Sequence, residues 1–333
     1  MKKLYLHIGT GKTGSSSIQK TFKNLNERNF YFKYDRKALR FVEKLDQIIE
    51  KLETCKEDLV ILSSEWLYVR ADEKILKKIN KLSSKFEIKI IIYLRRQDEL
   101  VVSAYQQSIK NLDSKIIFNV DDYALNNAKL YSKWFLKRTN YYEICNFWSN
   151  YFGKENIIIR IFSKNQLKDG CVVKDFASIV NVPIKQSQII NRNQGIGKIA
   201  MNLAIRLRKL NVKKELARKI IFNAPKSEPA LPERDTIKQF YQQFIELNQK
   251  LKKEFKIQSQ YNSIFSSDFS KYPKKETYTL DKESNDLALN FLQAKLDETK
   301  GLARSSQNLF NIIFIYKKFK KIFLNIIKKN ETI

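Results

Sequence analysis

Histidine and cysteine are scarce in this chain of 333 residues, which has one of the first and three of the second. Cys55, Cys145 and Cys171 are far apart and form no Cys-x-x-Cys pair, so neither a disulfide framework nor a zinc knuckle is indicated, and a reduced compartment fits. A cluster of Asp and His with metal-ligand spacing is also missing, and no metal is expected. After Met1-Lys2-Lys3 only five mostly apolar residues, Leu4 to Ile8, precede the first glycine. A signal peptide carries an apolar stretch of ~7–15 residues, so the protein is expected to stay in the cytoplasm. No uncharged apolar run approaches the ~18 residues of a membrane-spanning helix. Internal repeats and low-complexity linkers are absent as well.

Positive charge is abundant. Lys and Arg number 63 against 35 acidic residues, a formal net charge of +28. Such a field attracts polyanions, nucleotides or anionic lipid. The accompanying richness in Lys, Asn and Ile is also what AT-rich coding produces without selection for binding, so charge alone does not decide function. The length allows one sizeable core, and at roughly 150 residues per domain it allows two units or one domain with an extension.

Lys3 to Ile8 is short, apolar and followed by glycines, then by Ser15 to Phe22, whose hydroxyls offer N-caps to a helix. This reads as strand, tight loop, helix. Leu59 to Leu62, Ile88 to Leu94 and Ile157 to Phe162 are further apolar runs alternating with stretches of helical spacing, which predicts an α/β fold with a buried parallel sheet. From Gly197 onward the pattern predicts helices, among them Lys198 to Leu210 and Thr236 to Phe255. The stretch Ser266 to Lys275 is the expected boundary, giving a domain over 1–270 and a helical, basic extension over 271–333.

Gly9-Thr-Gly-Lys-Thr-Gly-Ser-Ser-Ser17 lies between strand and helix, where free backbone N–H groups and the helix dipole favour a phosphate. Lys12 adds a full charge. A nucleotide-triphosphate P-loop needs a glycine five positions before Gly11, and Leu6 stands there. A second element, Leu94-Arg95-Arg96 through Ser103-Ala-Tyr105, starts at a strand end and runs into a helix. Arg suits phosphate because its planar fork gives two charge-assisted hydrogen bonds. A third, Leu62-Ser63-Ser64-Glu65-Trp66, puts a carboxylate just past another strand. Each has a plainer reading: a glycine-serine cap, a surface Arg pair, a Glu capping a helix.

Taken together, the order and spacing of Lys12-Thr13-Gly14-Ser15-Ser16 and of Arg95 with Ser103 resemble sulfotransferases that use 3′-phosphoadenosine 5′-phosphosulfate (PAPS), of a bacterial type similar to the glycan and heparan-sulfate enzymes. The resemblance implies a P-loop-like central parallel sheet flanked by helices. It also implies that Gly11, Lys12, Thr13, Gly14, Ser15, Ser16 and Ser17 hold the 5′-phosphosulfate, that Arg95 and Ser103 hold the 3′-phosphate, and that Glu65 takes the proton of an acceptor hydroxyl on a glycan or glycolipid. Those enzymes usually follow the Glu with Lys-Thr/Ser and an aromatic, whereas Trp66-Leu67-Tyr68 follows here. His7, the single histidine, lies inside the first strand and is expected to be structural.

The alternative enzyme reading is a P-loop kinase, against which Leu6 and the Arg95–Ser103 element stand. A non-enzymatic membrane- or nucleic-acid-binding protein rests on charge alone and leaves both phosphate elements unexplained; no nucleic-acid partner is expected. The tail from Ile312 to Ile327 places Ile312, Ile315, Tyr316, Phe319, Ile322 and Phe323 on one helical stripe with lysines largely off it. Such a helix lies either peripherally on an anionic inner-membrane surface or against the protein's own core or a second subunit.

Overall fold

Four apolar runs and one short edge segment build a five-stranded, all-parallel sheet in the computed structural model. It describes residues 1–25, 30–34, 44–111, 138–190, 195, 197–209, 212, 214–275 and 282–302, with single positions at 313, 317 and 320. In chain order the first elements are β1 (Lys2–Gly9), α1 (Ser15–Lys23), β2 (Tyr31–Tyr34), α2 (Leu45–Glu53), β3 (Leu59–Ser63), α3 (Glu65–Arg70), α4 (Glu73–Asn80) and β4 (Phe86–Leu94). They are followed by α5 (Gln97–Asn111), α6 (Tyr141–Phe152), β5 (Ile157–Ile161), α7 (Val172–Ile179), α8 (Lys198–Lys209), α9 (Lys214–Phe222), α10 (Arg234–Gln242), α11 (Ile245–Glu254) and α12 (Lys282–Leu302).

The strand order is β2-β3-β1-β4-β5. The chain therefore leaves β1 to one side for β2 and β3, then crosses to the other side for β4 and β5. Open parallel sheets bind ligands at the carboxyl ends of the strands where the order reverses, which here are β1 and β4. Both are central strands covered on both faces: Leu4, Leu6 and Ile8 of β1 and Ile90 to Leu94 of β4 are fully buried. Against them α1 sets Ile18 and Phe22, and the Phe22 ring meets Phe176 of α7 edge-on at 5.0 Å between centroids. Truncating such a buried ring to Ala costs ~3–5 kcal/mol, so this layer anchors the helix that follows the glycine loop.

By their contacts the described residues fall into two units. The first comprises Met1–Leu100, Lys129–Asn193 and Tyr241–Ser267, and the second Val101–Ala128, Gln194–Phe240 and Asp268–Ile333. The sheet belongs to the first. The second has its own apolar cluster, in which Tyr105 and Ile109 of α5 join Ile199, Leu203 and Leu207 of α8, Ile220 and Ile221 of α9, and Ala288 and Leu292 of α12.

Two sequence expectations are corrected. Tyr31 to Tyr34 is an additional strand, and Thr236 to Phe255 is two helices, interrupted where Phe244 donates its N–H to the Tyr241 carbonyl and buries its ring. The apolar tail stripe from Ile312 to Ile327 lies outside the described residues. Among the described residues no helix is long and apolar enough to cross a membrane.

Candidate active site

The loop after β1 is shaped by backbone positions that are costly for ordinary residues. Gly9, Lys12 and Gly14 have φ of 104°, 69° and 78°. Gly14 is doubly constrained, because a Cβ there would come within 2.6 Å of Val172 Cγ1. The pairing of β1 with β4 slips by one residue between His7 and Gly9, a bulge that turns the chain out of the sheet as the loop begins. Thr10 then anchors the loop to β4, donating both its N–H and its hydroxyl to the Tyr93 carbonyl at 3.0 and 3.1 Å.

The serine hydroxyls do not cap α1, contrary to the sequence expectation. Gly14 occupies the cap position in a left-handed conformation and makes no side-chain cap hydrogen bond. Instead the Thr13 and Ser15 hydroxyls donate to the Thr10 carbonyl at 2.6 and 3.3 Å, drawing the loop into a tight ring. The N–H groups of Gly11, Thr13, Gly14, Ser15 and Ser16 donate to no backbone carbonyl among the described residues, and the first turn of α1 has no acidic residue. Unspent N–H groups and an uncompensated helix dipole form a nest for an anion. Thr13, Ser15 and Ser17 are buried, while Gly11, Lys12, Gly14 and Ser16 are half-exposed. The accessible wall of this nest is therefore main chain, Lys12 and Ser16.

Glu65 stands beside it. The residue opens α3 at the carboxyl end of β3, and a Cβ built on Gly9 would lie 3.4 Å from its Cα, one on Gly11 3.4 Å from its Oε2. The glycines thus leave room for this carboxylate. Just before it, Ser64 donates its N–H to the His7 carbonyl, and its buried hydroxyl has no partner among the described residues.

Arg95 comes from the end of β4. Its Nη1 donates to the Lys12 carbonyl at 3.1 Å and its Nε to Glu99 Oε2 at 3.2 Å, with Phe162 under the guanidinium at 5.6 Å. Arg96, next in sequence, points elsewhere. It is buried and grips Asp98 through Nε and Nη2 at 2.7 and 2.9 Å, donates to the Ser266 carbonyl at 3.0 Å and lies over the Tyr241 ring. The first of the two arginines is the one that bonds the loop backbone at Lys12. Ser103 is half-buried on α5, in the stretch of that helix grouped with the second unit, whereas Arg95 belongs to the first.

Two polar clusters near the loop were not visible in the sequence, since their members are dispersed along it. Tyr93 donates to Asp175, whose carboxylate also takes Arg160 and the Lys168 N–H, tying β4, β5 and α7 together. Burial first, and then the Asp175 charge, push the Tyr93 phenol far up, so it remains a donor. In the other cluster His7 Nδ1 shares a 2.8 Å hydrogen bond with Ser63 Oγ, which also accepts from Gln19.

His7 is completely buried, and its Nε2 has no partner among the described residues. Burial lowers it from 6.5 to about 3, so the folded chain keeps the ring neutral where the unfolded chain protonates it. Stability from this group is full above pH ~6.5 and is lost as pH falls toward 3, by on the order of 4 kcal/mol. Urea midpoints measured from pH 7 to pH 4 should fall steeply in the wild type and more shallowly in His7→Asn. Parallel slopes would show that His7 does not govern the acid limb.

No family model matches this chain. A stretch of 130 residues, 39% of the chain, is 25% identical to an uncharacterized protein of Archaeoglobus fulgidus, of which it spans 32%, about a third of that protein's length. Among solved structures, a sulfotransferase from Alicyclobacillus acidocaldarius superposes with a TM-score of 0.42 at 13% identity, covering 68% of this chain and 98% of that one. Mouse sulfotransferase SULT7A1 complexed with PAP superposes with a TM-score of 0.34 at 11% identity, covering 56% of this chain and 61% of that one.

Proposed function

We propose that this protein transfers a sulfo group from PAPS to a hydroxyl of a glycan or glycolipid. The observation that carries the reading is the meeting, at the carboxyl ends of three adjacent strands, of an anion nest with Lys12 from β1, a carboxylate, Glu65, from β3 and a guanidinium, Arg95, from β4. An anhydride-like donor needs its 5′-phosphate held and its leaving oxygen neutralised, and the nest with Lys12 serves both ends. The acceptor oxygen attacks sulfur, the bond from sulfur to the 5′-phosphate oxygen breaks, and Glu65 takes the hydroxyl proton. The products are a sulfate ester and 3′-phosphoadenosine 5′-phosphate. In-line positioning and charge neutralisation carry such transfers, with little covalent work for the protein. We assign Arg95 to the 3′-phosphate and the reaction to the cytoplasm.

The test is selective stabilisation. 3′-Phosphoadenosine 5′-phosphate at ~100 times its Kd should add ~2.7 kcal/mol and raise the melting temperature by several degrees, while ATP, without a 3′-phosphate, should do little. Equal shifts with ATP would move the reading to a kinase.

A further inference from the structure

We infer that Arg95 is a positioning residue for Lys12, in addition to the phosphate contact assigned above, on which this inference rests. Lys12 has a left-handed backbone, φ 69°, which is unfavourable for a residue with a side chain and persists only where its surroundings hold it. Within the loop, Thr10 is tied to β4 and Gly14 is wedged against Val172, but the Lys12 carbonyl is held from outside, by the Arg95 guanidinium. That bond is charge-assisted and stronger than a neutral one.

Arg95 is itself braced. Glu99 holds Nε from one turn further along, the Phe162 ring supports the guanidinium face, and the Arg95 carbonyl accepts the buried Tyr141 hydroxyl. Arg has five N–H donors. Nε and one N–H of Nη1 are spent on Glu99 and Lys12, which leaves three, including both of Nη2, for a phosphate. One guanidinium can therefore bind the anion and keep the Lys12 backbone turned so that its ammonium serves the 5′-phosphate. Removing it should damage binding of the 5′-phosphate even in a nucleotide without a 3′-phosphate. A residue that touches only the 3′-phosphate has no such effect.

Titration calorimetry with adenosine 5′-phosphate and with 3′-phosphoadenosine 5′-phosphate separates the two, on the wild type, Lys12→Ala, Arg95→Ala and the double variant. Arg95→Ala should weaken adenosine 5′-phosphate about tenfold and the bisphosphate about a hundredfold or more. In the Lys12→Ala background Arg95→Ala should cost adenosine 5′-phosphate nothing further, since the effect runs through Lys12. Arg95→Lys keeps a charge for the 3′-phosphate without the fork, and it should lose affinity for adenosine 5′-phosphate much as Ala does while losing less for the bisphosphate. It also replaces Arg95→Ala if that variant fails to fold by circular dichroism. Unchanged affinity of Arg95→Ala for adenosine 5′-phosphate, or losses that add fully in the double variant, would overturn the inference and leave the sulfotransferase reading intact. Equal affinity of the wild type for the two nucleotides would overturn that reading while the Arg95–Lys12 coupling stays measurable, and a wild type that binds neither sinks both.

Discussion

Glu65→Gln should lower turnover by ~10²–10⁴ while affinity for 3′-phosphoadenosine 5′-phosphate barely changes. The amide keeps the size and reach of the carboxylate and removes its basicity. If Glu65 instead only caps α3, a helix of six residues, its loss costs ~1 kcal/mol of stability and leaves the turnover of folded protein intact. The two roles are separated by measuring transfer from radiolabelled, saturating PAPS to a glycan panel alongside affinity for the desulfated nucleotide. Near wild-type turnover in Glu65→Gln would remove it as the base.

Lys12→Ala should lower turnover by ~10²–10³, the usual cost of removing one preorganised charge from a site where charge develops. The defect should be read under single-turnover conditions at saturating PAPS, so that weaker binding is not mistaken for slower chemistry. Ala at a φ of 69° is itself strained, so Lys12→Gly is the cleaner companion: it relaxes the backbone and removes the same charge. Equal losses in the two variants identify the ammonium as the cause. Recovery in Lys12→Gly alone would mean that the Ala variant fails through its backbone.

The central strands were legible because a parallel strand buried on both faces must be an apolar run, as Ile90 to Leu94 is. The edge strand Tyr31-Phe-Lys-Tyr was not. It has four residues, none of them buried, and its identity comes from pairing with β3. The loop was legible as a tight turn between strand and helix from its glycines and its position, but the fate of the Thr13 and Ser15 hydroxyls was not, since they turn inward to the Thr10 carbonyl as the ring closes. Arg95 and Arg96 are alike in sequence. What separates them is the partners, Lys12 and Glu99 for one, Asp98 and Ser266 for the other, and two of those four lie more than eighty positions away.

The buried polar bonds next to Arg95 also bear on the order in which the chain can mature during vectorial synthesis. Gln97 exchanges amide hydrogen bonds with Asn248, and Arg96 donates to the Ser266 carbonyl, so groups at the start of α5 gain their last partners only once residues 241–267 are made. At ~5–20 residues per second, some ten to thirty seconds separate translation of β4 from that of its last closing partners. Until then a nascent chain carries an arginine and an amide whose burial would leave donors unmatched, which keeps the start of α5 from setting early. A ribosome stalled shortly after residue 193 should therefore display a sheet whose β4 end remains open to protease.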